Sequence, residues 1–366
     1  MPQPPGPDRP ETMQAVVCHG PNDYRLEELP VPRPGPGEAL IRVEAVGICA
    51  SDLKCYHGAA KFWGDQSRPP YAEEGAVPGH EFVGEVVGLD HEAASRWSVS
   101  VGDRVVSEQI VPCWHCRYCR RGEYWLCEPH VVYGFKRRRP GGMASYMVLP
   151  AEAIVYKIAK GLEPAHAAFT EPLACGLHAV ERADIRFDDV VVVAGCGPIG
   201  LGMVAGAAAK SPKAVIALDM SSTRLDIASL CGATRIIDIT KEDPVDAVND
   251  FTGGFGADVY LEATGHPAAV PQGLNILRKR GTFVEYGVFA SDVTVDWSII
   301  SDDKELTILG AHLGPHCWPT AIRMLESGRL PMDRICTQQL PLERFQEGLD
   351  LVGDGTQSIK VTLIPA

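Results

Sequence analysis

The stretch DDVVVVAGCGPIGLGMVAGAAAK, residues 188–210, decides the fold of this chain. Its four consecutive valines predict a strand buried on both faces, and the alanine-rich run after the glycines predicts a helix. The glycines between them follow the spacing G-x-G-x-x-G, which permits a tight turn and lets backbone amides approach a pyrophosphate at the helix N-terminus. The residues predicted to contact a dinucleotide in this turn are Gly195, Gly197, Pro198, Ile199 and Gly200.

The strand that follows, KAVIALDM, ends in Asp219 and indicates which dinucleotide is bound. A carboxylate about twenty residues after the glycines can accept hydrogen bonds from the ribose hydroxyls of NAD, and it would repel the additional phosphate of NADP. A helix cap is the competing interpretation of Asp219. Arg224, five residues later, is a further candidate for contact with the cofactor. The sequence therefore favours NAD.

The alternation of strand and helix continues beyond this point. Short apolar strands are predicted within residues 232–239, 256–265, 281–289 and 306–314, and helical stretches separate several of them. This pattern predicts a doubly wound α/β sheet of about six strands, in a domain that spans residues 166–314.

Four cysteines lie within fifteen residues in CWHCRYCRRGEYWLC, residues 113–127. Cys113, Cys116, Cys119 and Cys127 follow the spacing C-x2-C-x2-C-x7-C, which can direct four thiolates to one point. Four thiolate ligands are typical of a closed, structural zinc site, which leaves no open position for catalysis. An iron–sulfur cluster is the main alternative, because close cysteine spacings serve such clusters too.

A second group of metal-ligand residues combines different chemistries. Cys49 offers a thiolate, and VPGHEFVGEVVGLD, residues 77–90, supplies the imidazole of His80 and the carboxylate of Glu81. Three mixed ligands that leave room for water or substrate are typical of a catalytic zinc site. Farther along, Glu171 lies in the apolar stretch FTEPLACGLHAV, where a buried carboxylate needs a metal or a cation. Cys175 is the competing ligand in that stretch.

Composition and charge restrict the class of protein further. The 366 residues are 45% hydrophobic, and 34 basic against 47 acidic side chains give a net charge of −13, which argues against a nucleic-acid partner. The proline-rich residues 1–12 predict a disordered tail, with no pattern of a signal peptide. Twelve cysteines without a sign of secretion favour reduced thiols or metal ligands in the cytoplasm, and no membrane association is expected.

Taken in this order, these motifs resemble the zinc-dependent medium-chain dehydrogenase/reductase family, from about residue 13 to the C-terminus. The resemblance implies a GroES-like β-barrel catalytic domain over residues 13–165, with a zinc lobe at 108–130. It also implies that the Rossmann domain binds NAD and that residues 315–366 return to the catalytic domain. Family members are often dimers or tetramers, so a homo-oligomer is expected.

The resemblance also implies roles for individual residues. Cys49, His80 and Glu81 match the catalytic zinc positions, and Glu171 matches a glutamate that reaches the metal directly or through water. Ser51 matches the hydroxyl that receives the substrate proton, and Asp52 is expected to orient His80. The residues expected to hold a second, structural zinc are Cys113, Cys116, Cys119 and Cys127.

Two features depart from the family pattern. Lys54 stands where many relatives place a histidine of the proton relay, and His57 is either its substitute or a surface residue. The stretch AAKFWGDQSRPPYAEEGA, residues 59–76, lengthens the gap between Cys49 and His80. That loop either shapes the pocket through Phe62 and Trp63 or is an exposed insertion.

The glutamate-bearing site and EPLACGLHAVERA, residues 171–183, resemble the polyol branch of the family. The stretches at residues 47–65, 133–138 and 292–306 resemble members of that branch that act on four-carbon polyols. The resemblance implies NAD-dependent oxidation of erythritol or L-threitol to a ketose such as erythrulose. Alternatives are dehydrogenases of sorbitol, butanediol or threonine, a zinc-free quinone-type reductase, and a catalytically silent nucleotide-binding sensor.

Overall fold

A computed structural model describes residues 10–366. Its strands are β1 Thr12–Gly20, β2 Asp23–Pro30, β3 Ala39–Gly47, β4 Glu81–Leu89, β5 Arg104–Ser107, β6 Ile110–Val111, β7 Val131–Val132, β8 Tyr146–Leu149, β9 Val155–Lys157, β10 Val190–Ala194, β11 Ala214–Asp219, β12 Arg235–Asp238, β13 Ala257–Glu262, β14 Leu277–Glu285, β15 Thr307–Gly310, β16 Cys336–Pro341 and β17 Lys360–Ile364. Its α-helices are α1 Ala50–Tyr56, α2 Ala60–Trp63, α3 His91–Trp97, α4 Arg117–Arg120, α5 Pro164–Ala168, α6 Thr170–Arg182, α7 Pro198–Ala209, α8 Ser222–Leu230, α9 Pro244–Thr252, α10 Ala269–Ile276, α11 Trp318–Glu326, α12 Met332–Ile335 and α13 Phe345–Asp354.

The chain divides into two compact units. The first runs to Glu171 and resumes at Cys336–Ala366, and the second is Pro172–Ile335. The return to the first unit therefore lies at Cys336 rather than at residue 315, because α11 and α12 belong to the second unit.

The predicted tail of residues 1–12 overlaps the first strand. Residues 1–9 lie outside the described part of the chain. Thr12 already belongs to β1 and is the register partner of Pro30 in β2, so the prediction of a tail through residue 12 was wrong at this position. The prolines before it carry no backbone N–H, but Thr12 and the residues after it can donate to a sheet.

The first unit is built on a seven-stranded sheet. Six strands follow the order β16-β17-β3-β4-β5-β9, and β8 also pairs with β3. Because β17 pairs antiparallel with β3, the last strand of the chain lies beside one of the first. Apolar side chains from both ends of the chain share the core, including Ile41, Val46, Phe82 and Leu363. The site described below is anchored on β3, β4 and β17.

The second unit confirms the predicted doubly wound sheet. Six parallel strands follow the order β12-β11-β10-β13-β14-β15, so the order reverses between β10 and β13. Every residue of β10 is buried, as the run of valines predicts for a central parallel strand. The uncharged stretch of residues 190–209 is accounted for by β10 and α7. Within residues 10–366, no helix has the length and apolar character needed to cross a bilayer.

Candidate active site

A tight turn after β3 brings Cys49 to the start of α1. Cys49 is the N-cap residue of this helix, and its backbone N–H donates to Asp52 Oδ2 at 2.9 Å. The carboxylate of Asp52 is 1% exposed and therefore holds the turn from inside the protein. This arrangement places the Cys49 thiol and the Ser51 hydroxyl on the same short segment.

His80 and Glu81 enter the site at the start of β4. Gly79 has φ +95°, a left-handed conformation that glycine adopts without strain, and a Cβ at this position would crowd Val46 and Met143. The ligand atoms of Cys49, His80 and Glu81 all lie within 4.8 Å of one another. The structure thus brings together three predicted zinc ligands, of which His80 and Glu81 come 31 and 32 residues after Cys49 in the chain.

The two ring nitrogens of His80 face different partners. Nδ1 lies 3.5 Å from Asp52 Oδ1, and Nε2 lies 3.5 Å from Ser51 Oγ. Burial of the ring opposes its protonation, but Asp52 and Cys49 outweigh burial and raise the pKa of His80. A carboxylate and a cysteine sulfur beside the ring also favour a metal cation there.

Lys360 is a buried residue of the site that the sequence analysis missed. Its ammonium contacts Glu81 Oε2, both side chains are 2% exposed, and Nζ also donates to the Ile48 carbonyl at 2.9 Å. Burial opposes the charge of Lys360, but Glu81, Cys49 and Glu171 together raise its pKa. Gly47 leaves the space that this pair occupies, because a Cβ there would overlap both side chains. The one sequence feature that could have identified Lys360 is its charge within the otherwise uncharged stretch SIKVTLI, residues 358–364.

Glu171 lies at the first turn of α6 and is 6% exposed. The side-chain amide of Gln109 donates to its Oε1 at 2.5 Å. Glu171 is not a member of the group whose ligand atoms lie within 4.8 Å of one another, although its charge acts on Lys360. Cys175, the competing ligand, is buried and is likewise not a member of that group.

The loop of residues 59–76 packs aromatic side chains beside the metal-ligand group. Phe62 is 7% exposed and stacks on Phe135, with 5.1 Å between the ring centroids. Phe135 in turn lies 5.6 Å from the ring of His80. The indole N–H of Trp63 donates to the Cys55 carbonyl at 2.7 Å. At Phe62 and Trp63 the loop is therefore anchored in the first unit, while His57 is exposed and contacts Asn22.

The four-cysteine lobe (Cys113–Cys127) lies between β6 and β7. All four sulfurs lie within 4.8 Å of one another, and Cys113 Sγ is 4.0 Å from Cys119 Sγ. Tetrahedral zinc with bonds of about 2.3 Å separates its sulfurs by about 3.8 Å, whereas a cluster of several irons would hold them farther apart. The geometry therefore fits a single zinc ion.

Backbone amides in the lobe already favour thiolates. The N–H groups of Cys113 and Cys116 donate to Cys127 Sγ and Cys113 Sγ, at 3.2 and 3.3 Å. Amide hydrogen bonds, chiefly from Cys119, lower the pKa of Cys116 to about 6. Burial, followed by the Cys116 sulfur, raises the pKa of Cys119 to about 12. Four thiols so close together cannot all ionise without a cation among them.

In the second unit, the glycine-rich turn has the predicted form. Gly195 has φ +90°, Gly197 is the N-cap of α7, and a Cβ on Gly200 would overlap the Gly195 carbonyl. Pro198, which has no backbone N–H, and Ile199 begin the first turn of α7, and the N–H groups that follow the proline in this turn have no partner within the helix and can donate to phosphate oxygens.

Asp219 ends β11 and holds this turn in place. Its carboxylate accepts from the Cys196 N–H at 2.7 Å and from the Ser221 N–H at 2.8 Å. The N-cap of α8 is Ser221, whose hydroxyl accepts from Arg224 N, so Asp219 does not cap that helix itself.

Comparisons with known proteins agree with this geometry. A model of the alcohol dehydrogenase GroES-like domain matches residues 35–160, and a zinc-binding dehydrogenase model matches residues 198–327. The first match confirms the predicted GroES-like domain. Erythritol/L-threitol dehydrogenase of Mycolicibacterium smegmatis is 70% identical over 98% of this chain and 99% of its own.

More distant relatives share the whole architecture. L-threonine 3-dehydrogenase of Pyrococcus horikoshii is 36% identical over 94% of this chain and 97% of its own. A crystal structure of a short chain alcohol dehydrogenase from Escherichia coli in complex with NADH has a TM-score of 0.85. It is 25% identical and covers 97% of this chain and 100% of its own.

Proposed function

The chain belongs to the zinc-dependent medium-chain dehydrogenase/reductase family, and we propose that it oxidises a secondary hydroxyl of erythritol or L-threitol to give erythrulose. The observation that carries this proposal is the 70% identity, over nearly the whole chain, to an erythritol/L-threitol dehydrogenase. The open group of Cys49, His80 and Glu81 and the glycine-rich turn of the second unit supply what such a reaction needs.

Cys49, His80 and Glu81 would hold the catalytic zinc, with Glu171 close by, and the four-cysteine lobe would hold the structural one. When bound, zinc lowers the pKa of the substrate hydroxyl, and NAD+ accepts the hydride. Asp219 and the turn at Gly195–Gly200 would bind the cofactor, with Arg224 beside them.

The protein's own residues orient the substrate and take its proton. Ser51 Oγ lies within 3.5 Å of His80 Nε2 and is thus close to the ligand group, where it can accept the hydroxyl proton while it passes its own proton on to water. Asp52 fixes the orientation of His80 through Nδ1. The buried carboxylate of Glu171 is an acceptor for a neighbouring hydroxyl of a polyol, which a simple alcohol does not have.

The test is the reduction of NAD+ by zinc-loaded protein with erythritol, both threitol enantiomers, sorbitol, 2,3-butanediol, threonine and ethanol, and with NADP+ in parallel. We expect turnover of erythritol or L-threitol with NAD+ at the highest kcat/KM. Preference for another substrate would contradict the proposed four-carbon polyol but would still support a zinc-dependent dehydrogenase. Binding of NAD+ without any turnover would favour the silent sensor.

We further propose that the protein is a homo-oligomer in the cytoplasm, where its cysteines stay reduced. Support comes from β15, which pairs only with β14 among the described strands and has Ile308 41% exposed at the edge of the sheet. Ile308→Glu should reduce the mass in light scattering, whereas Ile236→Glu on the opposite edge strand, β12, should not. Dissociation by the second variant alone would place the interface at β12.

A further inference from the structure

Gln109 is a buried polar residue next to the metal-ligand group that the proposed mechanism does not use. It lies between β5 and β6 and is 1% exposed. Its side-chain amide donates to Glu171 Oε1 at 2.5 Å, and its backbone carbonyl accepts from the Tyr133 N–H at 3.0 Å. Both partners of the Gln109–Glu171 contact belong to the first unit and are shielded from solvent.

The neighbouring residue keeps this segment from moving. Glu108 Oε1 accepts from the hydroxyls of Tyr124 and Tyr156, at 3.0 and 2.9 Å, and the Glu108 N–H donates to the Ile154 carbonyl. Glu108 therefore faces the four-cysteine lobe, which contains Tyr124, while Gln109 faces Glu171. The Glu108 carboxylate, the Glu108 N–H and the Gln109 backbone carbonyl are all hydrogen-bonded, so the side-chain amide of Gln109 projects from an anchored backbone.

A carboxylate is an acceptor with about four lone-pair sites, and a donor at one oxygen fixes how the others point. Glu171 also lies in an electrostatic environment that would move it. Its charge acts on Lys360, the lysine that is paired with Glu81, and a bound cation would add a strong attraction toward the ligand group. The hydrogen bond from Gln109 to Oε1 opposes that attraction.

We propose that Gln109 is a positioning residue that determines polyol specificity. By donating to Glu171 Oε1, it holds the carboxylate where it accepts a substrate hydroxyl next to the reacting one, instead of moving to the metal. This inference rests on the proposed function, because only a substrate with adjacent hydroxyls uses the acceptor. A secondary alcohol with one hydroxyl, such as 2-butanol, gains nothing from it.

The experiment compares erythritol and 2-butanol as substrates of Gln109→Met, which keeps the side-chain length and removes the donor. We expect kcat/KM for erythritol to fall about 10- to 100-fold, mainly through KM, and that for 2-butanol to fall by a clearly smaller factor, because 2-butanol loses no contact with Glu171 and is affected only by the carboxylate that moves toward the metal. The matched control is Gln339→Met, which removes the same kind of donation, to Glu163, at an exposed site. The control should leave both substrates unchanged.

A double-mutant cycle separates positioning from a general structural role. If Gln109 acts through Glu171, Gln109→Met should have almost no further effect in a Glu171→Gln background. Equal losses for both substrates, or additive effects of the two changes, would overturn the proposal. If Gln109→Met does not fold, Gln109→Asn shortens the donor by one methylene, and the same substrate-selective loss decides the question.

A second measurement keeps this test separate from that of the proposed function. If the wild-type protein oxidises no polyol, the proposed function fails, and the spectrum of the Co²⁺-substituted catalytic site becomes the readout. Release of Glu171 toward the cation should then shift the visible absorption of Gln109→Met relative to wild type, and the shift should vanish in the Glu171→Gln background. An unchanged spectrum would show that Gln109 does not hold Glu171 away from the metal.

Discussion

The two metal-ligand groups of the first unit differ in how they are assembled. The four-cysteine lobe takes all its ligands from one stretch of fifteen residues, and the four are chemically identical. The group of Cys49, His80 and Glu81 combines three ligand types from two segments, and its carboxylate is paired with Lys360 from the last strand. One group is complete within a loop, whereas the other depends on the tertiary fold.

This difference separates stability from chemistry. Four thiolates satisfy zinc completely, so the lobe can contribute folding energy but offers no position to a substrate. Three ligands leave a position open, and the ammonium of Lys360 neutralises a carboxylate that the metal would otherwise neutralise alone. Variants of each group should therefore affect different properties of the protein.

The largest effects are expected from removing one ligand of each group. Cys49→Ala should lose one zinc per chain and about 10³-fold or more of the activity, with its thermal unfolding nearly unchanged. Cys119→Ala should lose the other zinc and folding free energy on the order of 10 kcal/mol, which exposes residues 113–127 to proteases. Zinc analysis, kinetics and limited proteolysis distinguish the two. Loss of both ions from either variant would contradict independent sites.

A smaller effect is expected from Lys360→Met, which leaves Glu81 buried without its cation. The zinc-free protein should lose about 3–5 kcal/mol of unfolding free energy, and the zinc-loaded protein much less, because the metal then neutralises Glu81. Denaturant titrations with and without zinc measure the difference. In the control, Lys304→Met, the lost donations are to the Leu274, Asn275 and Leu277 carbonyls, so its loss of stability should not depend on zinc.

The smallest effect concerns Glu108, which faces the four-cysteine lobe through Tyr124. Burial raises the pKa of Glu108 from 4.5 to about 7, against the opposing hydrogen bonds of Tyr156 and Tyr124. Since the folded pKa is the higher one, stability is fully present below about pH 4.5 and decreases as the pH rises through about 7. Between these pH values, the free energy of unfolding of Glu108→Gln should therefore decrease by about 1–3 kcal/mol less than that of wild type.

Denaturant titrations of Glu108→Gln between pH 5 and pH 8 measure that dependence. The exposed Glu92→Gln, whose carboxylate pairs with Arg96 on α3, is the control and should keep the wild-type pH profile. A Glu108→Gln profile parallel to that of wild type would contradict the assignment.

The sequence predicts what is encoded locally. The turn at Gly195–Gly200, the strands of the second unit and the four-cysteine spacing are each contained in a short segment, so backbone preference and ligand chemistry identify them. The grouping of Cys49 with His80 and Glu81 was predicted from the ligand chemistry of the three side chains, and the family resemblance then supported it. Lys360 and Gln109 were missed, because their roles depend on contacts across hundreds or tens of residues that leave no local pattern.

The position of Lys360 in the chain, far after Glu81, also has a consequence for how the site can be assembled. Lys360 is synthesised after the entire second unit, so a growing chain can fold and load its four-cysteine lobe long before Glu81 has its partner. Until β17 is made, Lys360 cannot neutralise Glu81, and a metal ion held by Cys49 and His80 would be the cation available to this carboxylate. Capture of zinc and later insertion of β17 would thus be successive steps in building one site.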